Sequence, residues 1–100
     1  MVDAARARFE LGQVVATPGA LAALETATES AADLLRRHVC GDWGDVPPED
    51  GRCNDAALKD GSRILSAYAT SDGQRLWIIT DAEDDDGRRL ATTILLPSEY

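Results

Sequence analysis

The chain has 100 residues, 44% of them hydrophobic: enough for one domain with its own core, near the lower end of the range that builds a stable core without metals or disulfides. Eighteen acidic residues against ten basic ones leave a formal charge of −8, which excludes sequence-independent attraction to a nucleic-acid backbone. Two cysteines, no signal-peptide apolar region and no long apolar run predict a cytoplasmic protein with reduced thiols and no membrane contact.

Residues 1–8 are rich in alanine and charge and have no period, so a frayed terminus is expected, with a single domain over residues 9–100. Phe9, Leu11, Val14 and Val15 predict a first strand over residues 9–16. Thr17 then offers a helix cap, and Pro18 sits at the first helical position, where its missing N–H has no partner to lose. That helix runs to about Ala27. Ser30 caps a second helix, in which Ala31, Leu34, Leu35, His38 and Val39 fall on one stripe, and Gly41 closes it.

Pro47 and Pro48, followed by Glu49 and Asp50, open a third helix that reaches Leu58 and stops at Gly61. Within it, Asn54 is set to brace the preceding loop or to bind a partner. Three strands follow, over residues 64–68, 76–80 and 90–96, with Asp72-Gly73 marking a hairpin between the first two. The middle strand is apolar on both faces and should lie centrally, with helices covering at least one side. The prediction is an α+β domain in the order β-α-α-α-β-β-β, its sheet mostly antiparallel and covered by helices.

Two stretches are candidate binding sites. The first runs from His38 to Asp45, where a helix stops and His38, Asp42, Trp43 and Asp45 crowd around Gly41 and Gly44. The same residues also read as a structural turn in which Trp43 plugs the core. The second is the acidic run containing Asp81, Glu83, Asp84, Asp85 and Asp86. It is suited to a solvated loop or to imitating phosphates before a basic partner. Calcium fits poorly there, because with Gly87 as the turn glycine the first and last ligand positions fall on Ala82 and Thr93. His38, Cys40 and Cys53 supply three zinc-type ligands without a fourth, so neither metal nor cofactor is expected.

Phosphate loops, nucleophile elbows and zinc-protease motifs are all absent from the chain. A small ribonuclease or toxin would need His38 as base, Asp42 to orient it and Arg63 to hold phosphate. A third class is a homodimer or antitoxin-like regulator joined through an exposed sheet edge.

Taken together, Thr17-Pro18-Gly19-Ala20, Arg37-His38, Gly41-Asp42-Trp43-Gly44, the run from Gly61 through Tyr68, Leu76-Trp77-Ile78-Ile79-Thr80 and the run from Thr92 through Tyr100 carry a resemblance. They resemble a family of small plasmid-related and integrated-element proteins, covering about nine-tenths of the chain and often labelled type I restriction endonuclease subunit M. No methyltransferase cofactor loop accompanies that label here. The resemblance implies a mobile-element setting and supplies no catalytic residues. In that setting the expected function is a non-enzymatic accessory protein. It would bind a protein partner with a basic surface, in the sharpest version inhibiting a nucleic-acid-directed host defence complex of the CRISPR or restriction type.

Overall fold

A computed structural model describes residues 6–100. The order of elements is β1 (Gln13–Ala16), α1 (Pro18–Ala27), α2 (Ala31–Val39), α3 (Pro48–Asp60), β2 (Ile64–Ala69), β3 (Arg75–Thr80) and β4 (Ala91–Leu95). A single 3-10 turn at Pro97–Glu99 ends the chain. This is the expected α+β arrangement.

Local signals set the helices. Thr17 accepts the Ala20 N–H at 3.1 Å and Ser30 accepts that of Ala32 at 3.1 Å, each relieving an orphan donor of the first turn. At the end of α2, Gly41 takes φ +90°, its N–H reaching His38 O at 3.1 Å while the Asp42 N–H reaches Arg37 O at 2.9 Å. Those two bonds form a Schellman closure, and they launch the chain into the turn holding Trp43.

The four strands stand in the order β1-β4-β3-β2. β2 with β3 and β3 with β4 run antiparallel, whereas β1 lies parallel to β4. β3 is interior, as its two apolar faces require. The first strand is shorter than residues 9–16, because at Gly12 (φ +63°) the chain presses onto the backbone of Arg89 and Leu90 so closely that no side chain fits. Regular pairing therefore begins at Gln13. Residues 1–5 of the expected frayed terminus lie outside the described residues, while the Arg8 amide donates to Val39 O at 2.8 Å.

Register places Ser66, Ile78 and Ile94 in one row across the sheet and Ile64, Thr80 and Thr92 in the next. Ala20, Ala23 and Leu24 of α1 and Leu34 of α2 close over this face and form the main core with Tyr68, Leu76, Ile78 and Ile94. A second cluster gathers Trp43, Ala57 and Ile64 with Phe9, Val46 and Leu58. The opposite face carries Leu65, Trp77 and Thr93, all half-buried, with the Tyr100 ring standing edge-on to Trp77 at 5.5 Å.

The outer edge of β2 is sealed. Asn54, on α3, donates to Leu65 O at 2.8 Å and accepts the Leu65 N–H at 3.1 Å, using its amide as a substitute for a neighbouring strand. Ala67 is covered by the turn after α2, giving its N–H to Trp43 O and accepting that of Asp45. Asn54 thus braces the strand that follows it rather than the loop before it.

Candidate functional site

The turn after α2 turns His38 and Trp43 inwards and leaves Asp42 and Asp45 at the surface. His38 is 0% exposed. Its Nδ1 lies 2.6 Å from Ser66 Oγ and its Nε2 2.9 Å from Thr80 Oγ1. The hydroxyl of Thr80 meets that of Thr92 at 2.7 Å, and Thr92 donates to Leu11 O at 2.7 Å. That last bond gives the whole chain a direction. With Thr92 donating to a carbonyl, its oxygen accepts from Thr80, so Thr80 must accept from the imidazole. His38 therefore carries its proton on Nε2, and Nδ1 accepts from Ser66.

Burial lowers the His38 pKa to about 4, so the ring is neutral at pH 7. It packs against the rings of Phe9 (5.2 Å, edge-on) and Trp43 (6.1 Å, edge-on), which also touch each other. A buried ring with both nitrogens engaged has no open position for a substrate, which removes the geometric basis for His38 as a ribonuclease base or as a contact with a partner. Arg63, the expected phosphate holder, donates from Nη1 to the Tyr100 hydroxyl at 2.5 Å.

Trp43 is 9% exposed and donates its indole N–H to Asp55 Oδ1 at 3.0 Å. It plugs the second apolar cluster. Asp42 is exposed, but its carboxylate accepts from Arg37 Nε at 2.7 Å and from the Gly44 N–H at 3.2 Å. The hydrogen bond from Arg37 is the main reason that its pKa is lowered. Its backbone carbonyl accepts from the Tyr68 hydroxyl at 2.6 Å, and burial pushes that phenol up to about 12. Asp45 stands 3.8 Å from Arg75 at the rim of a shallow groove of about 330 Å³ floored by Leu65, Ala67 and Trp77. Gly44, at φ +74°, lies so close to Ala67 O and the Tyr68 ring that a Cβ would collide with both. The turn is thus tied to β2 on every side.

The second stretch faces the other way. Every residue from 81 to 88 is exposed. Asp84 shapes its tip, with one carboxylate oxygen accepting the N–H groups of Asp86 (2.9 Å) and Arg88 (3.0 Å). Asp85 and Asp86 are carried outwards on the turn that results. Glu83 is tied by its N–H to Gly61 O at 2.8 Å, which sets the loop beside the end of α3 and its Asp60. Glu10 reaches the same end, accepting the Arg89 N–H at 3.1 Å. Among the described residues no lysine or arginine forms an ion pair with the carboxylates of residues 81–86.

Arg89 is the residue that sequence reasoning missed. It lies between the strands predicted over residues 76–80 and 90–96, where a loop residue would face water, yet it is 3% exposed. Its guanidinium donates to Ser62 O (2.7 Å), Asp81 O (2.9 Å) and Ala57 O (3.0 Å), capping the end of α3 and clamping the acidic loop to it. One signal was available, namely a second arginine directly after Arg88 and directly before the apolar β4.

Cys40 is half-buried, Cys53 is exposed and both are free thiols. Among the described residues no three of His, Cys, Asp or Glu converge on a point where a metal would sit. No helix among them is long and apolar enough to cross a membrane. Comparison with protein-family models, with curated proteins and with solved structures finds no match.

Proposed function

We propose that this chain is a non-enzymatic binding protein whose acidic pole occupies a basic groove on a partner protein. The supporting observation is the arrangement around residues 81–88, where Glu83, Asp84, Asp85 and Asp86 stand on a closed, anchored turn with Asp81 at its base and Glu10 and Asp60 beside it. Clustered carboxylates on a fixed frame present to a cationic surface what a run of phosphates presents, without the entropy loss of ordering a free loop on binding. In the mobile-element setting that the sequence resemblance implies, the fitting partner is a nucleic-acid-directed defence complex of the host, whose groove would be blocked. Asp42 and Asp45 add charge at a separate place, already shared with Arg37 and Arg75.

The test uses a variant that removes charge but keeps shape, Glu83→Gln with Asp84→Asn, Asp85→Asn and Asp86→Asn. Asparagine at position 84 retains an acceptor for the turn. Immobilised wild type and variant are compared for proteins captured from host extract, with and without competing nucleic acid. The expected result is a captured partner that nucleic acid displaces, that elutes as salt rises, and that the variant fails to hold. Equal capture by both chains, or capture indifferent to nucleic acid, refutes the reading.

A further inference from the structure

Past β4 the chain turns at Pro97–Glu99 and is fastened by two side chains. Glu99 is the first. Its Oε1 accepts the Thr17 hydroxyl at 2.6 Å and the Leu96 N–H at 2.8 Å, which sets the carboxylate against the first turn of α1, where the helix dipole favours negative charge. Gly19 makes the room, since a Cβ there would stand 2.5 Å from Glu99 Oε2 and 2.9 Å from Leu96 Cδ1. The bond from Thr17 is the main reason that the Glu99 pKa is lowered. Tyr100 is the second fastening. Its ring stands edge-on to Trp77 at 5.5 Å, the Arg63 guanidinium lies over it at 5.7 Å, and Arg63 Nη1 donates to its hydroxyl at 2.5 Å. Tyr100 is still 66% exposed, so it rests on the sheet without being built into it.

Tyr100 also bridges two adjoining grooves. Trp77 lines the groove of about 330 Å³, Arg63 lines a neighbour of about 200 Å³ with Cys53 and Asn54, and the two grooves share Leu65 and Asp50. Arg36, Arg37 and Arg75 each pair with a carboxylate. Arg63 does not: it gives its hydrogen bond to a neutral phenol and, among the described residues, pairs with no acid, Asp50 of its own groove included. A guanidinium holds an anionic oxygen more strongly than a neutral one, often through two parallel bonds.

We propose that Trp77 and Arg63 form a seat for a small aromatic anion, a ring bearing a phosphate or carboxylate, and that residues 96–100 are a strap holding Tyr100 in that seat. Glu99 is the catch of the strap. Tyr100 supplies the ligand's chemistry without its charge, placing a ring against the indole and an oxygen before the guanidinium. It is therefore an internal stand-in that an anionic ring displaces. When the catch opens, the Tyr100 ring leaves Trp77 and Arg63, and the two grooves join over Leu65. The strap sets the affinity through the time it spends closed: closure for about nine-tenths of the time weakens apparent binding about tenfold.

Calorimetric titration of the full chain with phenyl phosphate tests the proposal, with phenol and inorganic phosphate as the two halves of that probe. Three variants open the seat by different routes: Gly19→Ala pushes the Glu99 carboxylate off α1, Glu99→Ala removes it, and Tyr100→Ala empties the seat. Each is expected to bind phenyl phosphate about tenfold tighter than the wild type, and to bind either half more weakly than the whole. Gly19→Ala alters neither strap nor seat, so it carries the test should another variant unfold. Adding Arg63→Gln to Tyr100→Ala should abolish the gain, and the Trp77 indole N–H resonance should move on titration. None of these changes touches residues 81–86, so the acidic pole is judged separately. No gain in any opened variant, a gain that survives Arg63→Gln, an unmoved Trp77 indole, or phenol or inorganic phosphate binding as tightly as phenyl phosphate overturns the proposal.

Discussion

Lowering the pH from 7.5 to 5 should destabilise this protein through one residue, His38. Its pKa is about 4 in the folded chain against about 6.5 when unfolded, so between those values the unfolded state binds a proton that the folded state refuses. Stability is complete above pH 6.5, falls as the pH drops below it and reaches its floor near pH 4. From the two pKa values the loss is about 2 kcal/mol at pH 5 and about 3 kcal/mol at pH 4, to order of magnitude. The cause is burial, which penalises the charged ring and leaves the neutral one in place against Ser66 and Thr80. The carboxylates with lowered pKa values, Asp42, Asp60, Asp72 and Glu99, lose their native partners only at lower pH, which leaves the window from 6.5 to 4.5 to the histidine. Urea denaturation at pH 7.5, 6, 5 and 4.5, on wild type and His38→Gln, measures it. The variant should be less stable at pH 7.5 but nearly flat down to pH 5. A wild-type change under about 0.5 kcal/mol, or an equal slope in the variant, refutes the buried neutral imidazole.

Substitutions at two further positions probe the frame of the sites. Arg89→Met should cost at least about 3 kcal/mol, because the carbonyls of Ala57, Ser62 and Asp81 lose their shared donor, and hydrogen exchange should rise first in residues 81–88. Unchanged stability and exchange would mean that the guanidinium does not clamp the loop. Trp43→Ala should lose about 3 to 5 kcal/mol in the same urea assay, while Trp43→Phe, which forfeits chiefly the N–H bond to Asp55, should lose about 1 kcal/mol. A fully stable alanine variant would put the tryptophan back on the surface.

Sequence by itself determined the features governed by neighbours in the chain. Thr17 with Pro18, Ser30, Pro48 and Gly61 mark helix ends because caps and breakers act within one turn of themselves. The two apolar faces of β3 made its interior position legible for a similar reason, since alternation is read along a single strand. The exposed acidic loop was legible from its composition. Tertiary structure alone decided what depends on residues far apart in the chain. The parallel pairing of β1 with β4 joins segments nearly eighty residues apart, and neither strand's pattern specifies the direction of its partner. Arg88 and Arg89 are chemically identical and adjacent, yet one is exposed and the other buried, because only Arg89 lies under the carbonyls that α3 and the loop turn towards it. The same holds for His38: its place on the apolar stripe of α2 was visible, but its tautomer comes from Ser66, Thr80 and Thr92, which the folding of the sheet brings beneath it, and its low pKa from the burial that results.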